Sequence, residues 1–499
     1  MKKAIIIIIY LGVFSWTSYA QEINSNDSIF ENYTSEQEKL SQSFSNYFYG
    51  NYEKIYSMGE PEFINVIDSL RKPFTNLLAH FQKENPDYDS SVMYKESKDI
   101  HYFFDKIILD YPYYHERFTG EKKTFNSRLD SNLVDFNNPE LLNIDSYVEY
   151  LKAFLYFISK TELKNENYKK LDNRQLNATF NLIDRYFSNQ EVIDYLKSYY
   201  LYNHIDNLGI KNIDRLYNEF ITTCKDTSYI HKIKTYYNSE SNGRKGHLIK
   251  TYKTVDGYDL DMHLFLPESN EQQEKRPVFV YFHGGSWAEG KPDYFFPSGE
   301  KYAKNSWVAA AVEYRIAYRQ GTLPFESVMD AKSAIRWLRQ HADEFNIDTN
   351  RIVAYGNSAG GHLVLCTAMV KNWNENTDDL KISCVPNILL VVSGVFDLTD
   401  STSWIRQDLR ERNQDENLVY EISPNHLIEK GLPPTLVIHG TTDRNVPFST
   451  AVEFVDKMKL EGNDIEFYPV EEAGHYIWYG RYGKQVSEIV KKYLEKKGY

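Results

Sequence analysis

A serine between two glycines, Gly356-Asn357-Ser358-Ala359-Gly360, follows the apolar run Arg351-Ile352-Val353-Ala354-Tyr355 and leads into Gly361-His362-Leu363-Val364-Leu365. G-x-S-x-G on a strand-to-helix turn holds a hydroxyl at the tip of the turn, and the small residues on either side let strand and helix approach each other. A free hydroxyl is a poor nucleophile near neutral pH. It needs a base to take its proton, a carboxylate to orient that base, and amide donors for the charge that develops on the attacked oxygen. The chain offers candidates for each part: the loop His283-Gly284-Gly285-Ser286-Trp287, the carboxylates Asp397 and Asp443, and the imidazoles His362, His439 and His475.

These residues need a rigid frame, and the second half of the chain supplies a pattern for one. Residues 248–255 and 258–266 read as two strands joined by Asp256-Gly257, a hairpin turn signal. Short apolar strands are predicted at 278–282, 308–314, 352–355, 388–392, 435–439 and 465–469. Helical spacing at 328–341, 359–371, 450–461 and 483–496 separates most of them. Near-continuous apolar strands with helical crossovers imply a mostly parallel sheet covered on both faces, here of about eight strands with a leading antiparallel hairpin.

The first half differs in composition. Only Gly50, Gly59, Gly120 and Gly209 lie between Gln21 and residue 240, and no tryptophan lies between residues 21 and 286. Stripes such as Phe63, Val66, Ile67 and Leu70, or Tyr147, Tyr150, Leu151, Phe154 and Leu155, predict packed helices. Tyr111, Tyr113 and Tyr114 are read as core or rim packing. The expected division is a leader at 1–20, an all-α domain at 21–245 and an α/β domain at 246–499, in keeping with a 499-residue chain. Through Asp206-Asn207-Leu208-Gly209, Leu216-Tyr217 and Cys224-Lys225-Asp226, the helical half resembles the segment that precedes thioredoxin-like domains in some exported bacterial proteins. No C-x-x-C follows, so no redox role carries over.

Lys2 and Lys3, the apolar run around Ile5 to Ile9, and Ser18-Tyr19-Ala20 before Gln21 read as a cleavable export signal. The run falls short of the roughly 20 residues of a spanning helix, so the product is expected to be periplasmic or extracellular, with no membrane span. Three widely spaced cysteines make neither a disulfide framework nor a zinc pattern. No His, Asp and Glu cluster at ligand spacing suggests a metal, and no phosphate-binding glycine loop suggests a nucleotide, so no cofactor is expected. A net charge of −13, without a basic stretch, argues against nucleic acid as a partner.

With His283-Gly284-Gly285-Ser286-Trp287, the Ser358 elbow, His439-Gly440-Thr441-Thr442-Asp443 and Gly474-His475 in this order, residues 246–499 resemble an α/β-hydrolase. The likeness is to the bacterial acetyl-esterase and feruloyl-esterase group, related to the hormone-sensitive lipase type. The resemblance implies Ser358 as nucleophile, His475 as base and Asp443 as orienting acid, with Asp397 the rival carboxylate. His362 and His439 are given structural roles. Amides of Gly285, Ser286 and Ala359 are the implied oxyanion donors, and Trp287 either walls an acyl pocket or packs on the sheet. Asp330, Arg315 and Trp337 are expected to hold the scaffold together.

The segment between Val392 and Thr435 leaves little room for a lid unless the helical half supplies one. That favours an open cleft and short acyl or aryl esters, since long chains need a deep apolar tunnel. The expectation is a secreted serine carboxylesterase acting on small esters or acylated carbohydrate, with acetyl or feruloyl groups foremost. A peptidase of the prolyl-oligopeptidase class shares the triad order but usually carries a strand-rich propeller. A further alternative is an active enzyme tethered to a protein or glycan partner by its helical half.

Overall fold

Alternating burial along β3 (Arg276–Phe282) shows how the sheet is held: Val278, Val280 and Phe282 enter one core, while Phe279 and Tyr281 enter another on the opposite face. The computed structural model describes residues 28–123, 127–268, 275–400 and 403–499. The expected leader, residues 1–20, lies outside the described residues. Around β3 stand β1 (Leu248–Val255), β2 (Tyr258–Phe265), β4 (Val308–Val312), β5 (Ile347–Asn357), β6 (Ile388–Val392), β7 (Thr435–Gly440) and β8 (Ile465–Val470). Their order across one eight-stranded sheet is β1-β2-β4-β3-β5-β6-β7-β8. The hairpin pair β1 and β2 is antiparallel, β2 joins β4 antiparallel, and every later pairing is parallel. The mostly parallel sheet inferred from the sequence is therefore present. β5 begins five residues before the predicted strand, because Ile347 pairs with Arg276 across a register shift that the polar residues Asp348 to Asn350 concealed.

Before the sheet the chain is helical: α1 (Ser28–Gly50), α2 (Tyr52–Tyr56), α3 (Glu60–Glu84), α4 (Ser90–Thr119), α5 (Asp145–Glu162), α6 (Glu166–Lys169), α7 (Arg174–Tyr186), α8 (Gln190–Leu208), α9 (Asp214–Thr223) and α10 (Thr227–Gly243). Within the sheet region follow α11 (Phe296–Lys304), α12 (Ala317–Gln320), α13 (Pro324–Gln340), α14 (Ala359–Met369), α15 (Trp404–Glu411), α16 (Phe448–Leu460) and α17 (Gly480–Lys496). α13, α14 and α16 pack on one face of the sheet, and α11 and α17 on the other. Among the described residues no helix is long and apolar enough to cross a membrane.

The helical stripes form two cores of their own. Phe63, Ile67, Tyr147, Leu151 and Phe154 belong to the larger, and Leu201, Ile205, Leu216 and Phe220 to the smaller. Tyr111 is buried and Tyr114 packs on the larger core, while Tyr113 lies under the Lys160 ammonium. A salt-bridge network centred on Glu313 joins this half to the sheet. Arg319 of α12 reaches Asp172 at 2.6 Å and also pairs with Glu313 after β4. Lys211 bonds Glu313 at 2.7 Å and Asp261 of β2 at 2.6 Å. Burial alone would raise the Glu313 carboxyl, but Arg319 and Lys211 outweigh it and hold the group well below the usual carboxylate range. Removing one partner of such a buried set typically costs about 3–5 kcal/mol.

Candidate active site

Ser358 stands between β5 and α14 with φ 52° and ψ −121°, a conformation that L-residues rarely adopt and that costs on the order of 1–3 kcal/mol. Two glycines permit it. A Cβ on Gly356 would strike the Gly360 carbonyl, and one on Gly360 would strike the backbone of Phe282 and His283. The turn is pinned by Ser358 N–H donating to Val392 O at 3.0 Å and by His362 N–H donating to Ser358 O at 3.1 Å. The side chain therefore starts from a fixed backbone at the C-terminal edge of the sheet.

Two neighbouring loops bring the other groups to it. Thr441 N–H donates to Val470 O and Thr442 N–H to Ala473 O, each at 3.0 Å, so the loop after β7 and the loop after β8 are tied together. His475 Nε2 lies 3.0 Å from Ser358 Oγ, and its Nδ1 lies 2.7 Å from Asp443 Oδ2. The other carboxylate oxygen accepts the amides of Asn445 and Val446, both at 2.9 Å. His439 Nε2 adds a further contact at 3.2 Å to Oδ2. Burial would raise the Asp443 carboxyl, yet hydrogen bonds from His439, His475 and the Val446 amide hold it well below the usual range. Asp443 is therefore an anion suited to stabilise an imidazolium at residue 475.

The loop after β3 abuts the serine. A Cβ on Gly284 would lie 3.2 Å from Ser358 Cβ, and the Gly284 amide donates to Asn357 Oδ1 at 3.0 Å. Gly285 (φ 119°), Ser286 (φ 53°) and Trp287 (φ 56°) follow with positive φ. Among the described residues, the amides of Gly285, Ser286 and Ala359 have no acceptor. Ala359 opens α14, where the unpaired amides and the positive end of the helix favour negative charge. Trp287 is buried, its ring edge-on to His362 at 4.9 Å with Nε1 unpartnered, an arrangement that suits packing.

Among the remaining sequence candidates, His439 touches Asp443, and the others lie outside the Ser358–His475–Asp443 chain. His362 is fully buried, contacts Ile422 O at 2.7 Å and is pushed down to about 4 by burial, so it anchors the segment after α15 as a neutral ring. Asp397 accepts the Thr399 amide at 2.8 Å and lies 3.7 Å from His426, a local loop brace. Asp397→Asn is expected to change kcat by less than about threefold, because the carboxamide oxygen can still accept the Thr399 amide and Asp397 makes no contact with His475 among the described residues. A loss of a hundredfold or more in steady-state assays would make Asp397 the working acid instead. Arg315 forks onto the buried Asp330, which also receives Lys253, and Trp337 stacks on His341. Two contributors escaped the sequence reading: His439 as a second donor to Asp443, and Asn357 as the acceptor for Gly284. His439 lies at the end of a strand and Asp443 in the loop beyond it, so the helical i,i+4 rule gave no signal for the first. The second joins positions 73 apart and had none either.

A wound sheet with a strained serine after its fifth strand, and an acid and an imidazole on later loops, defines an α/β-hydrolase of the serine type. The family model described as BD-FAE matches residues 262–458, and the C-terminal half of the chain belongs to that family. Esterase LipC of Mycobacterium tuberculosis is 28% identical over 213 residues, covering 40% of this chain and 52% of the relative. A probable isoprenylcysteine alpha-carbonyl methylesterase of Arabidopsis thaliana is 26% identical over 217 residues, covering 40% and 44%. The chain thus spans about half the length of the curated relatives it matches. Among solved structures, the apo form of Thermogutta terrifontis esterase 2 is 37% identical, with a TM-score of 0.48 over 51% of this chain and 96% of that one.

Proposed function

We propose that the protein is an exported serine carboxylesterase in which Ser358, His475 and Asp443 act as nucleophile, base and orienting acid. The carrying observation is the unbroken chain of 3.0 Å and 2.7 Å contacts from Oγ through the imidazole to the carboxylate. Ser358 Oγ attacks the ester carbonyl carbon while His475 Nε2 takes the hydroxyl proton. The tetrahedral oxyanion receives hydrogen bonds from Gly285, Ser286 and Ala359 amides. Collapse expels the alcohol, which takes its proton from the imidazolium and leaves an acyl-serine. Water repeats the sequence, releasing the acid and restoring the serine.

The rim offers support for a substrate class. Tyr476 is 62% exposed, and the rings of Tyr476 and Trp478 lie 5.2 and 5.3 Å from the His475 ring. Exposed aromatic faces beside the reacting group favour a carrier or acyl group with a flat ring or a sugar face, which supports acetyl or feruloyl esters of carbohydrate. The helical first half, in place of a strand-rich propeller, gives the peptidase alternative no support. Purified protein is expected to turn over p-nitrophenyl acetate and methyl ferulate but not p-nitrophenyl palmitate. Preference for the palmitate would overturn the short-acyl reading.

Tyr476→Ala sharpens the test. Loss of one ring contact, about 0.5–1.5 kcal/mol, should raise KM for methyl ferulate roughly two- to tenfold and leave p-nitrophenyl acetate within twofold. Equal effects on both substrates would remove the aromatic rim from specificity.

A further inference from the structure

The loop that carries Gly285 and Ser286 follows a strained path that the hydrolase half braces through Asn357, Tyr314 and two α12 amides. Four of its residues have positive φ, Gly285, Ser286, Trp287 and Gly290, and two of these are not glycine. Each left-handed non-glycine residue costs roughly 1–2 kcal/mol, so surrounding contacts must hold the path. Inside the loop, only the Ala288 and Glu289 amides fold back, both onto Gly285 O.

The helical half adds further support along two routes, directly at Gly290 and Lys291 and indirectly through α12. Gly290 N–H donates to Asn207 O at 2.9 Å, at the C-terminal end of α8. The next residue, Lys291, is buried and sends its ammonium to Ile205 O at 3.2 Å and to Glu240 of α10 at 2.7 Å. A helix C-terminus offers unpaired carbonyls and a negative dipole end, so an amide and an ammonium complement it. Two residues on, Asp293 faces Arg244 at 3.6 Å. The second route runs through α12, whose Ala317 and Tyr318 amides donate to Trp287 O and Ala288 O at 2.9 and 3.0 Å. The same short helix carries Arg319, paired with Asp172 of the helical half. Both routes end on the loop that provides the oxyanion donors.

We infer that the helical half is a built-in positioning element for the oxyanion loop, with Lys291 and Glu240 its positioning residues. The catalytic consequence rests on the ester-hydrolase reading, whereas the holding of the loop does not. Were this contact only glue between two halves, its loss would lower stability and leave the donors in place. A positioning role instead lowers kcat at nearly constant KM, because amides set for the transition state contribute little to ground-state binding.

The experiment uses the full chain with Lys291→Met, Lys291→Arg and Glu240→Gln, and Lys164→Ala as an interface control. Lys164 pairs with Glu411 of α15, away from the loop, and is largely exposed. Two readouts are taken: steady-state kinetics on p-nitrophenyl acetate, and amide hydrogen exchange over residues 284–291. Lys291→Met is expected to lower kcat about 30-fold with KM within twofold, a partial form of the 10²–10³ loss of a whole donor. Its loop amides should exchange faster. Lys291→Arg should recover most of both, Glu240→Gln should fall between, and Lys164→Ala should match the parent. A folded Lys291→Met protein with parental kcat and parental loop exchange would overturn the inference. If Lys291→Met does not fold, Glu240→Gln decides on the same two readouts. If the parent hydrolyses no ester, the functional reading falls, and the exchange rates alone judge the positioning role.

Discussion

Ser358→Ala should lower kcat toward short esters by about 10⁵–10⁶-fold, because removal of the nucleophile leaves only binding and oxyanion stabilisation. The same change should abolish covalent labelling by a fluorophosphonate probe, with the parent adduct mapping to the peptide containing residue 358. The fold should tolerate it well. Alanine keeps the Cβ, so the strained backbone at φ 52° is neither relieved nor worsened. Only the 3.0 Å contact from Oγ to His475 Nε2 is lost. A thermal midpoint within a few degrees of the parent is therefore expected for a change worth roughly 1 kcal/mol or less. Substantial activity in a folded Ser358→Ala protein would mean that the reaction uses another nucleophile, and the arrangement around residue 358 would need a different explanation.

What could be read from residues alone divides by the range of the interaction. β3, β6 and β7 were legible because both their faces are buried, so the run of apolar residues is itself the signal. The turn at Ser358 was legible because glycine is the residue that lets β5 and α14 meet there. The ordering of Ser358, Asp443 and His475 follows the succession of strands, and that succession is local information repeated along the chain. The start of β5 was not legible, since Ile347 pairs with Arg276 across a register shift and the polar residues Asp348 to Asn350 that lie within the shift disguise it. Nor was the grip of α8 on Gly290, or of Asn357 on Gly284. Those bonds use backbone atoms, which carry no residue-type signature, or partners brought together only by the finished sheet. The helical half showed the same limit. Its stripes announced helices and cores, but no residue type or spacing marks Asp172, Lys211 and Glu240 as the partners of Arg319, Glu313 and Lys291.

Asp443→Asn is the sharper test of how the site works, because it preserves shape and removes charge. The carboxamide oxygen of the variant can still accept the amides of Asn445 and Val446, so the turn after β7 should survive. Its amide nitrogen would then face His475 Nδ1, which must become an acceptor, and the ring proton would move to Nε2. An imidazole protonated at Nε2 cannot take the Ser358 proton, and no anion remains to stabilise the imidazolium. The expected loss is about 10⁴-fold in kcat, the scale of the same exchange in other serine triads. His439 need not be stranded, since its Nε2 also lies 3.0 Å from Val446 O and can donate there. The carboxylate's depressed pKa adds a second signature with a definite sign. Folded Asp443 stays ionised below the unfolded value near 3.9, so it contributes stability above that pH and loses it as pH falls through the folded value. The asparagine variant lacks this contribution, and its stability gap from the parent should be full at neutral pH and should narrow in strong acid. Urea titrations at pH 7 and at progressively lower pH measure that gap. A gap independent of pH, or a kcat within tenfold of the parent, would show that residue 443 is not the charged partner of His475.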